Sequence, residues 1–367
     1  DSAVALGEAD VPYMKQITWD GRYSDVYAVG VDNGTKTPVA EREQNTVSLS
    51  PGGRFSVYYH DHHWQLFDVA GKTGRNLTEG LEIPFADEDH DYPRDVPGYG
   101  VGGWIEGDSA VLIYDKYDIW QFPTGEGEPI CLTGGEGRMK EYTFRVVDLD
   151  EEEDFIAAAD PLFLTAYHQK RKNWGFYRAR LGATAVTQVL EDDKRFRFLA
   201  KAKKADRIIY TRESYTEFPD IWTADLSLGS PRKLSNANPQ IDEVAWGSAE
   251  LVEWSSIDGI PLQGIVIKPG DYEPGRRYPV LVYYYRFFSQ RLNEFNEPVV
   301  NHRPSFPLYA SNGYAVFLPD IRFEVGLPGP AATRCLVPGL QKLVDMGVAD
   351  PEALGLHGHS WSGSQTA

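Results

Sequence analysis

The chain has 367 residues, 42% of them hydrophobic and 13% aromatic, with a formal net charge of −18. That length exceeds one ordinary core, so two domains are expected, and the acidity argues against nucleic acid, which calls for clustered Lys and Arg. No apolar run approaches the roughly 18 residues of a membrane span, and the two cysteines, Cys131 and Cys335, show neither disulfide nor metal spacing.

The chain opens on Asp1-Ser2-Ala3-Val4, with no Met and no signal peptide, as in a processed start or the edge of a fragment. Residues 1–245 then read as short strands separated by turns: Arg54 to Tyr59 after Pro51-Gly52-Gly53, Trp64 to Val69, Ala110 to Tyr114, Asp118 to Phe122, Arg207 to Thr211 and Asp220 to Asp225. One strand type recurs, at Asp25-Val26-Tyr27-Ala28, Trp64-Gln65-Leu66-Phe67, Asp118-Ile119-Trp120, Asn173 to Tyr177 and Asp220-Ile221-Trp222. Leu-Thr or Leu-Ser often follows, at Leu77-Thr78, Leu132-Thr133 and Leu234-Ser235. The spacing of roughly 40 to 55 residues suits four-stranded propeller blades. The expectation is a β-propeller over 1–245 with about four to five blades, incomplete in itself.

The pattern changes near residue 246. A hairpin is expected around Asp258-Gly259, followed by a nearly continuous apolar strand from Tyr278 to Tyr285, as in a sheet buried on both faces. A helix over 306–312 stops at Gly313, and Tyr314 to Leu318 form another strand. A helix is expected within 331–346, its start delayed by Pro338-Gly339, and a third buried strand, Leu354 to His359, runs into Ser360. Strand–helix alternation of this kind means an α/β domain over 246–367.

Gly358-His359-Ser360-Trp361-Ser362-Gly363 approximates the G-x-S-x-G turn that carries the nucleophile of acyl-transfer enzymes. The turn is strained, so its neighbours must be small for strand and helix to approach. The N–H after the serine then points at the developing oxyanion, with the helix N-terminus behind it. Ser360 is thus the candidate nucleophile and the Trp361 N–H a candidate oxyanion donor. Other clusters read otherwise. Asp87 to Asp91 could offer hard oxygen ligands to calcium but lacks EF-hand spacing, so a solvated loop is expected. Asp148 to Asp154 is read as a solvated acidic turn, and His60, His62 and His63 are not read as a metal site.

These residues resemble the G-H-S-W-G-G turn of the prolyl oligopeptidase family, which includes the dipeptidyl peptidase IV and acylaminoacyl peptidase branches. Asp258 to Gly264 is similar to that family's domain-entry hairpin, and Tyr278 to Tyr283 to the strand leading to its oxyanion loop. The family usually has Gly where Ser362 stands and often Tyr where Ser364 stands. The resemblance implies a propeller followed by an α/β-hydrolase domain, with a peptide substrate and no cofactor or metal. It also implies a tyrosine hydroxyl at the oxyanion, with Tyr285 ahead of Tyr283. A homodimer and a periplasmic or secreted location are further expectations. An esterase on the same machinery and a non-catalytic propeller scaffold are the alternatives. In this topology the triad acid and base follow the serine, so they are expected beyond Ala367, with only the first half of the hydrolase domain present. The purified 367-residue chain is therefore expected to show only the small residual turnover that survives loss of triad members. Robust peptide hydrolysis that disappears on Ser360→Ala would place a base within these residues.

Overall fold

Apolar and polar residues alternate along most strands before residue 245, and each such strand buries one face. In Ser24–Gly30, for example, Val26 and Ala28 are buried. The computed structural model, which describes residues 2–367, is mostly β-sheet with few helices. Five antiparallel sheets follow one another, each with its strands adjacent in chain order. The first has three strands, Val4–Ala9, Ser24–Gly30 and Lys36–Glu43. The other four have four strands each and begin at Ser48, Val101, Tyr142 and Arg195.

The recurring Leu-Thr and Leu-Ser pairs acquire a physical role here. The hydroxyls of Thr78, Thr133 and Ser235, just past a fourth strand, accept the N–H of Trp64, Ile119 and Ile221 on the third, at 3.1, 3.3 and 2.9 Å. Thr133 and Ser235 also donate to the carboxylates of Asp118 and Asp220, at 2.5 and 2.6 Å. A short outer strand offers few ladder bonds, and this side-chain staple fastens its end to the sheet. The repeat is therefore a hydrogen-bonding device as well as a hydrophobic rhythm.

Two compact units divide the chain. One runs to His90 and takes in Arg94–His168 and Phe176–Val189. The other comprises Asp91–Pro93, Gln169–Gly175 and Leu190–Ala367. The second unit contains a five-stranded sheet ordered Ser248–Ser255, Pro261–Lys268, Ala315–Pro319, Tyr278–Tyr283, Ala349–His357. The last three are parallel, and the first two form the antiparallel hairpin expected at Asp258-Gly259. Both faces of the sheet are apolar. Phe317, Val280 and Val266 pack with Ala332, Cys335 and Leu343 of the helix Pro328–Asp345. Val316, Leu318 and Ile267 pack with Phe306 and Ala310 of the helix Phe306–Ser311.

Three sequence expectations need correction. The strand from Tyr278 ends at Tyr283, and Tyr284 turns into the core, where its hydroxyl meets Thr366 of the helix Trp361–Thr366. Among the described residues the strand before Ser360 spans Ala349–His357, ends short of His359, pairs with Tyr278–Tyr283 and has Leu354 and Leu356 exposed. The long helix begins at Pro328 and runs straight through Pro338. Proline cannot donate to the carbonyl of residue 334, and normally this breaks a helix. Here that carbonyl accepts the N–H of Ile257 at 3.0 Å. The next carbonyl, of Cys335, accepts the Trp254 indole N–H at 2.9 Å. Ile257 thus supplies the one donor that Pro338 takes from the helix, and the Trp254 indole adds a bond to the next carbonyl.

Gly339 makes this approach possible, since a Cβ there would sit 2.9 Å from the Trp254 ring and 3.2 Å from Phe317. Helix propensity alone would make Gly339→Ala stabilising by about 1 kcal/mol, but overpacking of a tight core costs about 1–3 kcal/mol. Net destabilisation is expected in urea unfolding, and a higher midpoint would show that the indole yields freely.

Candidate active site

The elbow is built from small residues. Gly358 follows the strand Ala349–His357, and a Cβ on it would meet the Ser362 carbonyl oxygen at 2.2 Å, so only glycine fits. Ser360 then adopts φ 51° and ψ −115°, and the helix Trp361–Thr366 begins at once. A non-glycine residue held in such a region stores on the order of 1–3 kcal/mol, which the surroundings must supply.

Ser362 supplies part of it. Its side chain is fully buried, and its Oγ both accepts the His359 N–H at 2.9 Å and donates to the His359 carbonyl at 3.0 Å. Ser362 therefore clasps both backbone groups of the residue preceding Ser360. The clasp continues inward. Thr366 Oγ1 donates to the Ser362 carbonyl at 2.8 Å, which commits its proton, so the Tyr284 hydroxyl 2.9 Å away is the donor to it. Neither Thr366 nor Tyr284 is identifiable from sequence, because this contact spans 82 residues.

Ser360 is exposed, and its hydroxyl has no hydrogen-bond partner among the described residues. The Trp361 N–H is likewise unpaired, as expected in the first turn of a helix. The Trp361 ring is partly exposed and meets Phe323 edge-on at 5.6 Å. Near the turn the His302 and His359 rings lie 4.1 Å apart, and His357 Nε2 is 3.4 Å from the His302 carbonyl. No histidine hydrogen-bonds Ser360 among the described residues.

The candidate tyrosines diverge. Strand register sets Tyr283 beside His357, so Tyr285 and Ser360 both lie just past the carboxyl ends of adjacent parallel strands. Tyr285 is 41% exposed. Tyr283 is buried against Phe288, Phe306 and His357, and burial raises its hydroxyl pKa above the ordinary value while Arg303 and Arg291 oppose the shift. The loop after this strand is fastened by Asp320. Its Oδ1 accepts the N–H groups of Phe288 and Ser289 at 2.7 and 2.8 Å, and its Oδ2 accepts the Ser289 hydroxyl at 2.5 Å. Burial pushes the Asp320 carboxyl up, and these bonds oppose the shift.

The acidic run at 87–91 is not simply solvated, because its members are ion-paired: Glu88 with Arg138 at 2.6 Å, Asp89 with Lys116 at 2.8 Å and Asp91 with Arg286 at 2.9 Å. His60 faces Glu43 and His63 faces Thr78. No three His, Cys, Asp or Glu side chains gather to hold a metal among the described residues. Both cysteines are free.

Ser362→Ala removes the clasp and leaves two backbone groups of His359 without that partner, a loss of about 1–3 kcal/mol. It is expected to lower the unfolding midpoint and to slow labelling of Ser360 by a fluorophosphonate in the full-length protein. Wild-type behaviour in both measurements would mean that the turn holds its geometry without the hydroxyl.

No family model matches the chain, and no curated protein matches it either. Solved structures do match. The AtxE2 isopeptidase aligns at 15% identity and a TM-score of 0.52, over 94% of this chain and 59% of its own. A protein described as a dipeptidyl aminopeptidase IV from Bacteroides ovatus aligns at 14% and 0.62, over 95% and 53%. A post-proline cleaving enzyme from Rickettsia typhi aligns at 13% and 0.58, over 94% and 52%. The chain spans between half and three-fifths of the length of these structures, and at such identities the likeness is one of fold. Along nearly its whole length, this chain shares its fold with peptidases.

Proposed function

We propose that the chain is the nucleophile-bearing part of a serine peptidase of the prolyl oligopeptidase type, acting on short peptides. The sheets before residue 246 would form the propeller, and 246–367 the first half of the α/β-hydrolase domain. The observation that carries this reading is the backbone of Ser360, held at φ 51° and ψ −115° between strand and helix with its hydroxyl exposed. Strain of this kind is maintained where a function uses it.

In the proposed reaction the Ser360 Oγ attacks the scissile carbonyl carbon while a base takes its proton. The carbonyl oxygen becomes an oxyanion, held by the Trp361 N–H and the Tyr285 hydroxyl. The intermediate collapses to an acyl-enzyme as the protonated amine departs, and water then releases the acid by the reverse roles. By the resemblance, the base and its orienting acid are assigned to positions that follow Ala367 in the whole protein. Tyr285 is preferred to Tyr283 because it is exposed past the strand end, whereas Tyr283 is packed among aromatic rings.

In the full-length protein, a fluorophosphonate is expected to label Ser360, and Ser360→Ala to abolish both labelling and peptide hydrolysis. Tyr285→Phe is expected to lower kcat on the order of 100-fold, typical of a lost oxyanion donor, with KM nearly unchanged. Labelling at Ser362 would overturn the choice of nucleophile, and a loss carried by Tyr283→Phe alone would move the donor two residues back.

A further inference from the structure

Asp91 ends an acidic run that the proposed chemistry does not use. The stretch Asp91–Pro93 belongs to the same compact unit as the five-stranded sheet. Its carboxylate is 9% exposed, and Oδ1 lies 2.9 Å from the guanidinium of Arg286, itself 19% exposed. Oδ2 accepts the Phe323 N–H at 3.2 Å. One buried anion thus reaches two separate loops. The first follows the strand Tyr278–Tyr283 and carries Tyr285 immediately before Arg286. The second follows the strand Ala315–Pro319 and carries Phe323, whose ring packs on Trp361.

The surroundings lock this arrangement. The Arg286 guanidinium lies 4.6 Å from the ring centres of both Tyr92 and Phe287, and Arg322 lies 4.7 Å from Phe287 on the other loop. The Arg286 carbonyl accepts the Ile321 N–H at 2.6 Å. A guanidinium held between rings gains attraction from both but loses water, a loss that an anion beside it offsets. Asp91 stands beside it as such an anion, and the same side chain satisfies the second loop.

We infer that Asp91 is a positioning residue for the Ser360 site, joining the Tyr285 loop to the Phe323 loop so that the two oxyanion donors keep their places. This rests on the peptidase reading for its catalytic consequence, though not for the clamp itself. Without the carboxylate, Arg286 loses this anion and the Phe323 N–H loses its acceptor. Both loops then shift to regain water, and Tyr285 and Trp361 shift with them.

The test uses the full-length protein with Asp91→Ala, and Asp91→Asn as a near-isosteric second variant should the first fold poorly. Hydrogen exchange by mass spectrometry is expected to quicken over 284–291 and 320–327 and to stay unchanged across the five-stranded sheet. With a peptide substrate, kcat is expected to fall on the order of 10- to 100-fold, the scale of a misplacement of about an ångström, while KM changes by no more than about twofold, as for an interaction made only in the transition state. Asp91→Glu, which keeps the charge, is expected to recover part of kcat. Unchanged exchange in both loops would overturn the clamp. So would faster exchange throughout the unit with a general loss of stability, since Asp91 would then be an ordinary buried ion pair. If the wild type neither hydrolyses peptides nor labels at Ser360, the peptidase reading fails alone, and the exchange measurement still decides the clamp.

Discussion

A serine at φ 51° and ψ −115° does not hold itself there. Everything that gives this site its shape answers to that constraint: a glycine where any Cβ would strike the Ser362 carbonyl, a buried hydroxyl clasping the residue before Ser360, and a threonine and tyrosine tying the short helix to the end of the neighbouring strand. Each is a small interaction, on the order of 1 kcal/mol. Together they are of the scale needed to keep one residue in a sparsely populated region. Ser362 serves this end with a hydroxyl, in the position where the resembled family usually places glycine.

The same economy appears in the sheets before residue 246. A hydroxyl after the last strand and, in two sheets, an aspartate on or just before the third meet across the end of the ladder. A fourth strand of two residues, such as Ile130–Cys131 or Arg232–Lys233, could not be held by backbone pairing alone. In the sheet beginning at Ser48, His63 Nδ1 lies 3.1 Å from the Thr78 hydroxyl, in the place the aspartates hold in the other two sheets.

Local features were legible in the sequence, and distant ones were not. The turn around Ser360 is a run of six adjacent residues, and the hairpin at Asp258-Gly259 is set by its own turn chemistry, so both turns are readable directly. The rhythm of Leu-Thr and Leu-Ser pairs was visible, although its hydrogen bonds were not. The acidic run at 87–91 looked uniform, yet its members have different partners, and nothing near Asp91 in sequence announces Arg286. The strand before Ser360 is readable from its apolar residues, but its pairing with Tyr278–Tyr283 depends on strand order, which composition does not carry. Pro338 looked like a helix boundary because its usual consequence is an unpaired carbonyl, and the donor that removes that consequence, Ile257, lies far upstream.

That last contact bears on how the unit folds. A helix containing Pro338 and Gly339 is a poor structure on its own, since Pro338 removes one backbone bond from its middle and the two are weak helix formers in succession. The hairpin Ser248–Lys268 fills two of its carbonyls, and the helix in turn covers Trp254. Neither element is complete before the other arrives. They should open and close as one cooperative segment, so that loosening the hairpin also uncovers amide protons in the middle of the helix, well away from any exposed end.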